Sequence, residues 1–249
     1  MCKASRLSLI ACSFFALVLT TTPQTASAQY HGSYDNSKKK NYVDAAARPV
    51  PRVFSSKVKS TQEAEKLDQL YNQLFISLWN YALSDLNHQK KLYALVDYER
   101  FQTTRYSKEF SGPIESAMDN LNRNHQNVKD DIKKANEQYE IIKEGIREVD
   151  YETLDQIWPE KIKEFDIHAQ KYFDMQFAFL KTYRSLVGYI IKQGGSYYYD
   201  SASRSVKFYD LSGWRFFGES LDKMRKITYM QKQHLKQKVP ANVDVDTLQ

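Results

Sequence analysis

The sequence predicts an all-α fold, an elongated antiparallel four-helix bundle with coiled-coil-like packing and a short β-hairpin between helices 3 and 4. Apolar residues recur at alternating steps of four and three along four long stretches, which is typical of helices that pack in a bundle. Gly and Pro residues separate these stretches. A Tyr-rich segment with strand periodicity lies between the third and the fourth. We expect the helical domain to span residues 60–239, with the hairpin at residues 196–210.

The first 28 residues have the pattern of a secretory signal peptide. Basic residues precede an apolar run over residues 7–19, and a small-residue motif that ends at Ala28 forms the cleavage site. We therefore expect export to the periplasm and a mature chain that begins at Gln29. A lipid anchor on Cys12 is the alternative, but the apolar run continues past this cysteine, whereas a lipidated cysteine normally closes such a run.

Both cysteines of the chain lie in this signal segment. The mature chain is therefore expected to have no disulfide, no thiolate nucleophile and no cysteine-ligated metal, although disulfides would persist in an exported protein. The absence of any Asn-x-Ser/Thr acceptor site favours a bacterial envelope over a eukaryotic secretory route.

Residues 29–59 form a polar segment that contains seven Lys or Arg residues and only two acidic ones. Its composition predicts a disordered basic linker, because it has little apolar surface to bury. A solubilising spacer is the simplest interpretation. The alternative is electrostatic adhesion to an anionic lipid, a cell-wall polymer or an acidic partner; nucleic acid is not expected outside the cytoplasm. The residues of this basic tail include Lys38, Lys39, Lys40, Arg48 and Arg52.

The first helix is expected to begin at a capping box formed by Ser60 and Glu63 and to continue to about residue 106. Gly112 and Pro113 separate it from the second helix. The seam of the second helix runs without a break over residues 114–149 and is flanked by polar residues, which predicts a helix on the outside of the bundle or one that projects from it.

The third helix is predicted to begin at Pro159, after a connection over residues 150–158, and to end at Gly194. It has the broadest apolar face and is expected to form the centre of the core. Two short runs then flank a four-residue turn in the hairpin. The fourth helix is expected over residues 214–238, before Pro240 and a flexible tail at residues 240–249.

Two polar residues, Asp85 and His88, occupy seam positions of the first helix. Buried polar groups need partners, and at a rise of ~1.5 Å per residue His168 and His234 lie at about the same level of an up-down bundle. His125 lies at a different level. A structural polar layer that fixes the helix register is the first interpretation, and a metal or ligand site is the second.

Four tyrosines of the hairpin region form a second candidate site. They either pack on the end of the bundle or form a surface that recognises a protein or a glycan, because tyrosine combines apolar area with a hydrogen-bonding tip. These residues are Tyr197, Tyr198, Tyr199 and Tyr209.

The segment LVGYIIKQGG at residues 186–195, followed by the Tyr-rich hairpin and a closing amphipathic helix, resembles the YiaF-like lipoproteins, small Gram-negative envelope proteins of unknown function. The resemblance covers residues 186–235. It implies a similar architecture and an envelope location, and it implies no catalytic residue. This chain has Ala28 and Gln29 where those proteins carry a lipidated cysteine.

The sequence contains no motif of a known catalytic class: no paired Glu-x-x-His, no His-Glu-x-x-His, no Gly-x-Ser-x-Gly and no phosphate-binding Gly-Lys-Ser/Thr loop. We therefore expect no enzyme and no cofactor. The sequence favours a non-catalytic periplasmic interaction or assembly protein with a protein partner in the envelope. The alternative is a periplasmic protein that binds a small ligand or a metal in the bundle core.

Overall fold

The computed structural model describes residues 49–58, 61–95, 111–192, 197–200, 205–241 and 243. These residues form four α-helices and one antiparallel hairpin. In chain order the elements are α1 (Thr61–Leu95), α2 (Ser111–Lys143), α3 (Tyr151–Lys192), β1 (Tyr197–Asp200), β2 (Ser205–Phe208) and α4 (Leu211–Gln237). The predicted fold class is confirmed, with the hairpin between the third and the fourth helix. The described helices include none that is both long enough and apolar enough to cross a membrane.

Side-chain contacts show that successive helices run in opposite directions. Between α2 and α3, His125 meets Gln170, whereas Asn136, further along α2, accepts from Trp158, which comes earlier in α3. Helices α1 and α3 run in the same direction. Phe75 packs on Phe165, and further along both helices Gln89 bonds to Gln176. The helices therefore alternate up and down, as predicted.

Helix α3 provides most of the largest fully buried side chains, so it forms the centre of the core as its broad apolar face predicts. Each such side chain contributes roughly 1.5–3 kcal/mol on burial. They are Tyr172, Tyr183, Phe165, Phe173, Phe179, Leu154 and Leu186.

The prediction that α2 extends to Val149 is wrong. The helix ends at Lys143, the chain turns through Gly145, and Val149 lies in a short 3-10 helix with 76% of its surface exposed. The apolar pattern in the sequence includes Ile146 because this side chain is buried in the core. Its backbone, however, lies beyond the end of the helix. Gly145 favours the turn, since glycine is a poor helix former.

The prediction that residues 150–158 form a connection is also wrong, because α3 begins at Tyr151 and contains Pro159. A proline inside a helix removes one backbone hydrogen bond and usually bends or ends the helix. Here Leu154 and Trp158, both upstream of the proline, are buried in the core. Their burial favours a helical backbone on both sides of Pro159.

The predicted disordered linker includes a segment that packs on the bundle, so the prediction does not hold for residues 53–58. The side chain of Phe54 is 0% exposed and lies between the rings of Tyr71 and Trp158. The backbone N–H groups of Val53 and Phe54 donate to Oδ1 of Asp68 at 2.6 and 2.7 Å. Lys59 and the predicted capping residue Ser60 lie outside the described residues.

The beginning of the predicted C-terminal tail also packs on the bundle. Ala241 is buried, and its backbone N–H donates to Oδ1 of Asn72 in α1 at 2.9 Å. The prediction of a flexible tail is therefore wrong for residue 241. Residues 244–249 lie outside the described part of the chain.

The hairpin rests on the start of α4. In its register Tyr197 pairs with Phe208 and Asp200 with Ser205, which leaves four residues for the turn, as predicted. Asp210 caps α4 by accepting from the Gly213 N–H at 2.6 Å. A Cβ atom at position 213 would lie 2.7 Å from the Phe208 ring, so only glycine allows this close approach.

Candidate functional site

The carboxylate of Asp85 is buried between three helices and accepts hydrogen bonds on both oxygens. Asn120 and Asn124 of α2 donate to Oδ1 at 2.7 and 2.9 Å. The hydroxyl of Tyr172 in α3 donates to Oδ2 at 3.3 Å. The protein's own side chains therefore occupy the hydrogen-bonding positions that a ligand would need.

The hydrogen bonds continue from this carboxylate across the bundle. The Tyr172 hydroxyl accepts from Nε2 of Gln176 at 2.6 Å, and Oε1 of Gln176 accepts from Nε2 of Gln89 at 2.7 Å. The same Gln89 amide donates to Gln231 of α4 at 3.1 Å, and its carbonyl accepts from Thr228 at 3.3 Å. All four helices are thus joined by one core polar network, which consists of Asp85, Gln89, Asn120, Asn124, Tyr172, Gln176, Thr228 and Gln231.

Helical spacing explains why these residues meet. Residues four positions apart lie on the same face of a helix, one turn from each other. The network uses this spacing three times, in Asp85 and Gln89 of α1, in Asn120 and Asn124 of α2, and in Tyr172 and Gln176 of α3. Of these residues, the sequence predicted only Asp85 as a candidate site residue, because pairs of polar residues four positions apart are common on helices and do not by themselves indicate a buried network.

Burial changes the proton affinity of this network. Loss of hydration raises the pKa of Asp85 to about 7, although the hydrogen bonds from Asn124, Tyr172 and Asn120 oppose the rise. Burial also raises the pKa of Tyr172 well above its ordinary value. Asp85 therefore exchanges its proton near neutral pH, while the Tyr172 hydroxyl stays protonated and remains a donor.

His168 and His234 form a separate buried pair between α3 and α4. Their rings stack with centroids 4.0 Å apart, and Nε2 of His234 donates to the backbone carbonyl of His168 at 2.8 Å. This bond places the proton of neutral His234 on Nε2, so Nδ1 is bare, and Nδ1 has no hydrogen-bond partner among the described residues. Phe75 of α1 packs on the His168 ring at 5.8 Å.

The environment of this pair disfavours positive charge. Burial first, and then the charges of His234, Lys238 and Lys171, lower the pKa of His168 to about 4. Burial is also the main cause that lowers the pKa of His234. Both imidazoles are therefore neutral at neutral pH.

The structure separates the predicted polar layer into parts. Asp85 belongs to the core polar network, and His168 pairs with His234. His88 joins neither, because it is only half-buried and its Nδ1 lies 3.1 Å from the Ser84 carbonyl of its own helix. Among the described residues, no three His, Cys, Asp or Glu side chains come close enough together to hold a metal ion.

The predicted tyrosine site also divides into two faces. The ring of Tyr197 packs on Phe208 at 5.7 Å and faces the bundle, as the packing interpretation predicts. On the opposite face, the exposed rings of Tyr198 and Tyr209 lie 5.4 Å apart. The side chain of Tyr199 lies outside the described part of the structure.

Two further apolar residues, close in sequence to Tyr209, are exposed at the start of α4. Leu211 and Trp214 are 70% and 52% exposed, and Tyr209, two residues before Leu211, is 72% exposed. We call Tyr198, Tyr209, Leu211 and Trp214 the hairpin-end surface. A group of large apolar side chains in solvent is unusual in a surface that has no partner.

The basic tail falls mostly outside the described residues. Lys38, Lys39, Lys40 and Arg48 lie there, and Arg52 is the only one of the five predicted tail residues that the structure describes, in an exposed position. Its neighbour two positions on, Phe54, is anchored in the core.

Comparison with protein-family models, with curated proteins and with solved structures finds no match to this chain.

Proposed function

We propose that this chain is an exported, non-catalytic interaction or assembly protein of the bacterial cell envelope, and that the hairpin-end surface binds its protein partner. The signal-peptide pattern supports the periplasmic location, with cleavage after Ala28. We also include in this proposal the resemblance of residues 186–235 to YiaF-like envelope proteins, which implies the same location.

The observation that carries the proposal is the exposure of the hairpin-end surface on a well-packed framework. The inner hairpin face packs through Phe208 on Phe217 of α4, with ring centroids 5.6 Å apart. Asp210 and Gly213 join the hairpin to α4 in a tight turn. Exposed Tyr and Trp side chains that are held in place lose little entropy on binding and are frequent at the centres of protein interfaces.

The alternative, a ligand or metal in the bundle core, has less support. The oxygens of Asp85 already accept from three side chains, and the histidine rings stack on each other rather than converge on a common point. Two buried nitrogens, Nε2 of Gln231 and Nδ1 of His234, lack partners among the described residues, but no group of three metal-ligating side chains is found there.

Site-specific photocrosslinking in living cells tests this proposal. A benzophenone amino acid at Tyr209 is expected to yield a discrete adduct with one envelope protein. The matched control is Val149, which is 76% exposed and lies between α2 and α3 at the other end of α3. The adduct should be absent from the control and should disappear when Trp214→Ala is added.

Two results would overturn the proposal. One is the same adduct pattern from both positions, which would indicate random collisions. The other is the absence of any adduct from Tyr209 when the protein is present in the envelope at its normal level.

A further inference from the structure

Among the four described helices, α4 alone carries a net positive charge. It contains six Lys or Arg residues and two acidic ones. The corresponding numbers are three and four in α1, five and six in α2, and six and six in α3. An excess on one helix alone indicates a directed electrostatic role, because a solubilising charge would be spread over all surfaces.

The outward face of α4 carries most of these basic residues. Phe217, Met224 and Gln231, at steps of seven, are buried and define the inner face. Helical geometry places positions 215, 222, 229 and 236 on the opposite face. We call this opposite face, together with the flanking residues Arg225 and Lys232, the α4 outer stripe, and its residues are Arg215, Glu219, Asp222, Arg225, Lys226, Tyr229, Lys232 and Lys236.

Positive charges crowd the C-terminal half of this stripe. Lys232 lies near Lys90 of α1 and Lys236 of α4, and burial together with these two charges lowers the pKa of Lys232. Repulsion among like charges is unfavourable in the free protein and would be relieved by a bound anionic surface.

Acidic residues neutralise only part of this charge. Asp222 pairs with Arg225 at 3.2 Å, and Glu164 of α3 pairs with Lys238 at 2.6 Å, just beyond the end of α4. Glu219 is exposed and lies on the outward face itself, two positions after the buried Phe217. The remaining cations of the stripe outnumber these carboxylates.

Exposed apolar side chains accompany the charges. Tyr229 is 64% exposed and Met230 is 45% exposed. Tyrosine is enriched at the headgroup level of membranes, where its ring is partly buried and its hydroxyl stays in water. Positive charge combined with such residues is typical of a helix that lies on a membrane surface.

We infer that the α4 outer stripe docks on the surface of a bilayer that contains anionic phospholipid. The stripe from Arg215 to Lys236 extends over about 32 Å at a rise of ~1.5 Å per residue. A small anion would contact one or two of these cations, whereas a planar charged surface contacts all of them. This binding goes beyond the proposed protein partner, which uses other residues.

Vesicle flotation tests the inference with the protein as cells produce it. The probes are phosphatidylcholine vesicles with and without phosphatidylglycerol. The test variant combines Arg215→Gln, Lys226→Gln and Lys236→Gln. The matched control removes the same number and type of charges from exposed positions of α2, with Arg123→Gln, Lys133→Gln and Lys134→Gln.

We expect the unchanged protein to bind only the vesicles with phosphatidylglycerol, and to release them as salt is added. Each Lys or Arg near such a surface contributes about a fivefold factor in affinity, so the α4 variant should lose about 100-fold. The α2 control should bind as the unchanged protein does. Circular dichroism should show the same helix content for all three proteins.

Three outcomes would overturn the inference. Equal losses in both variants would show that only net charge matters. Unchanged binding by the α4 variant would assign the lipid affinity to another part of the chain, such as the basic tail. Equally tight binding to soluble dextran sulfate would indicate an acidic polymer instead of a bilayer.

Discussion

The bundle buries two polar clusters, and their construction differs. In the core polar network, the carboxylate of Asp85 accepts from Asn120, Asn124 and Tyr172. In the histidine pair, His168 stacks on His234, and one imidazole nitrogen of His234 has no partner among the described residues. His168 and Tyr172 are one turn apart in α3, so this difference arises within ~6 Å along the helix.

The two clusters respond to pH in opposite directions. The pKa of Asp85 is raised from 3.8 to about 7, so its contribution is most favourable at low pH and is lost as pH rises through that range. The pKa of His168 is lowered from 6.5 to about 4, so its contribution is present above pH 6.5 and is lost as pH falls. The two effects oppose each other and flatten the pH dependence of folding stability.

This comparison also bears on function. In the core polar network most donors and acceptors bind one another, although Nε2 of Gln231 has no partner among the described residues. Such a network favours one helix register over others, which is the best established role of buried polar residues in bundles. We therefore propose a structural role for the core polar network. The proposed binding functions use exposed residues instead, in the hairpin-end surface and the α4 outer stripe.

The largest expected change in folding stability comes from comparing two uncharged replacements of Asp85, one that keeps a hydrogen-bond acceptor and one that does not. Asp85→Asn removes the charge and keeps an acceptor for the amides of Asn120 and Asn124. Asp85→Leu removes both and leaves the buried amide of Asn124 with only its longer bond, at 3.4 Å, to the Tyr81 carbonyl. We expect the Leu variant to be less stable than the Asn variant by about 2 kcal/mol, measured by urea unfolding at neutral pH. Equal stabilities would show that the network contributes nothing through its acceptor.

A smaller effect is expected in how folding stability depends on pH, which should differ between substitutions in the two clusters. Asp85→Asn should gain stability relative to the unchanged protein as pH rises from about 5 to about 7.5, because it avoids the cost of a buried charge. His168→Phe should gain as pH falls over the same range, because it avoids protonation in the unfolded chain. We expect each change to be about 1–2 kcal/mol in unfolding free energy. Gains in the same direction would contradict the opposition of the clusters.

The smallest effect is expected at His88. This side chain is half-buried and contacts only a carbonyl of its own helix among the bonds described above. His88→Ala should change the unfolding free energy by less than about 0.5 kcal/mol, as at other surface positions. A loss comparable to that of Asp85→Leu would place His88 in the network after all.

Most of the fold could be predicted from the sequence, because the buried face of each helix produces a regular spacing of apolar residues that can be recognised. The boundaries were harder to predict. Ile146 stays buried after α2 has ended, and Pro159 lies inside α3 although proline normally indicates a boundary. In both places tertiary packing outweighs the local preference of the backbone.

The candidate sites were only partly predictable. Asp85 was identified because a carboxylate in an apolar seam needs partners. Its actual partners are the amides and the hydroxyl of Asn120, Asn124 and Tyr172, which are common residues with no distinctive motif. The anchoring of Phe54 by Asp68 joins residues 14 positions apart through backbone N–H groups, and backbone donors are present at nearly every position of a sequence.

An NMR titration of the labelled protein tests the central claim most directly. The side-chain carboxyl carbon of Asp85 and the imidazole nitrogens of His168 would be followed in one pH series. The structure predicts a crossed order, with the pKa of Asp85 at about 7 and that of His168 at about 4. Midpoints near the ordinary values of 3.8 for the carboxyl and 6.5 for the imidazole would show that neither cluster is buried as described, and would contradict the account.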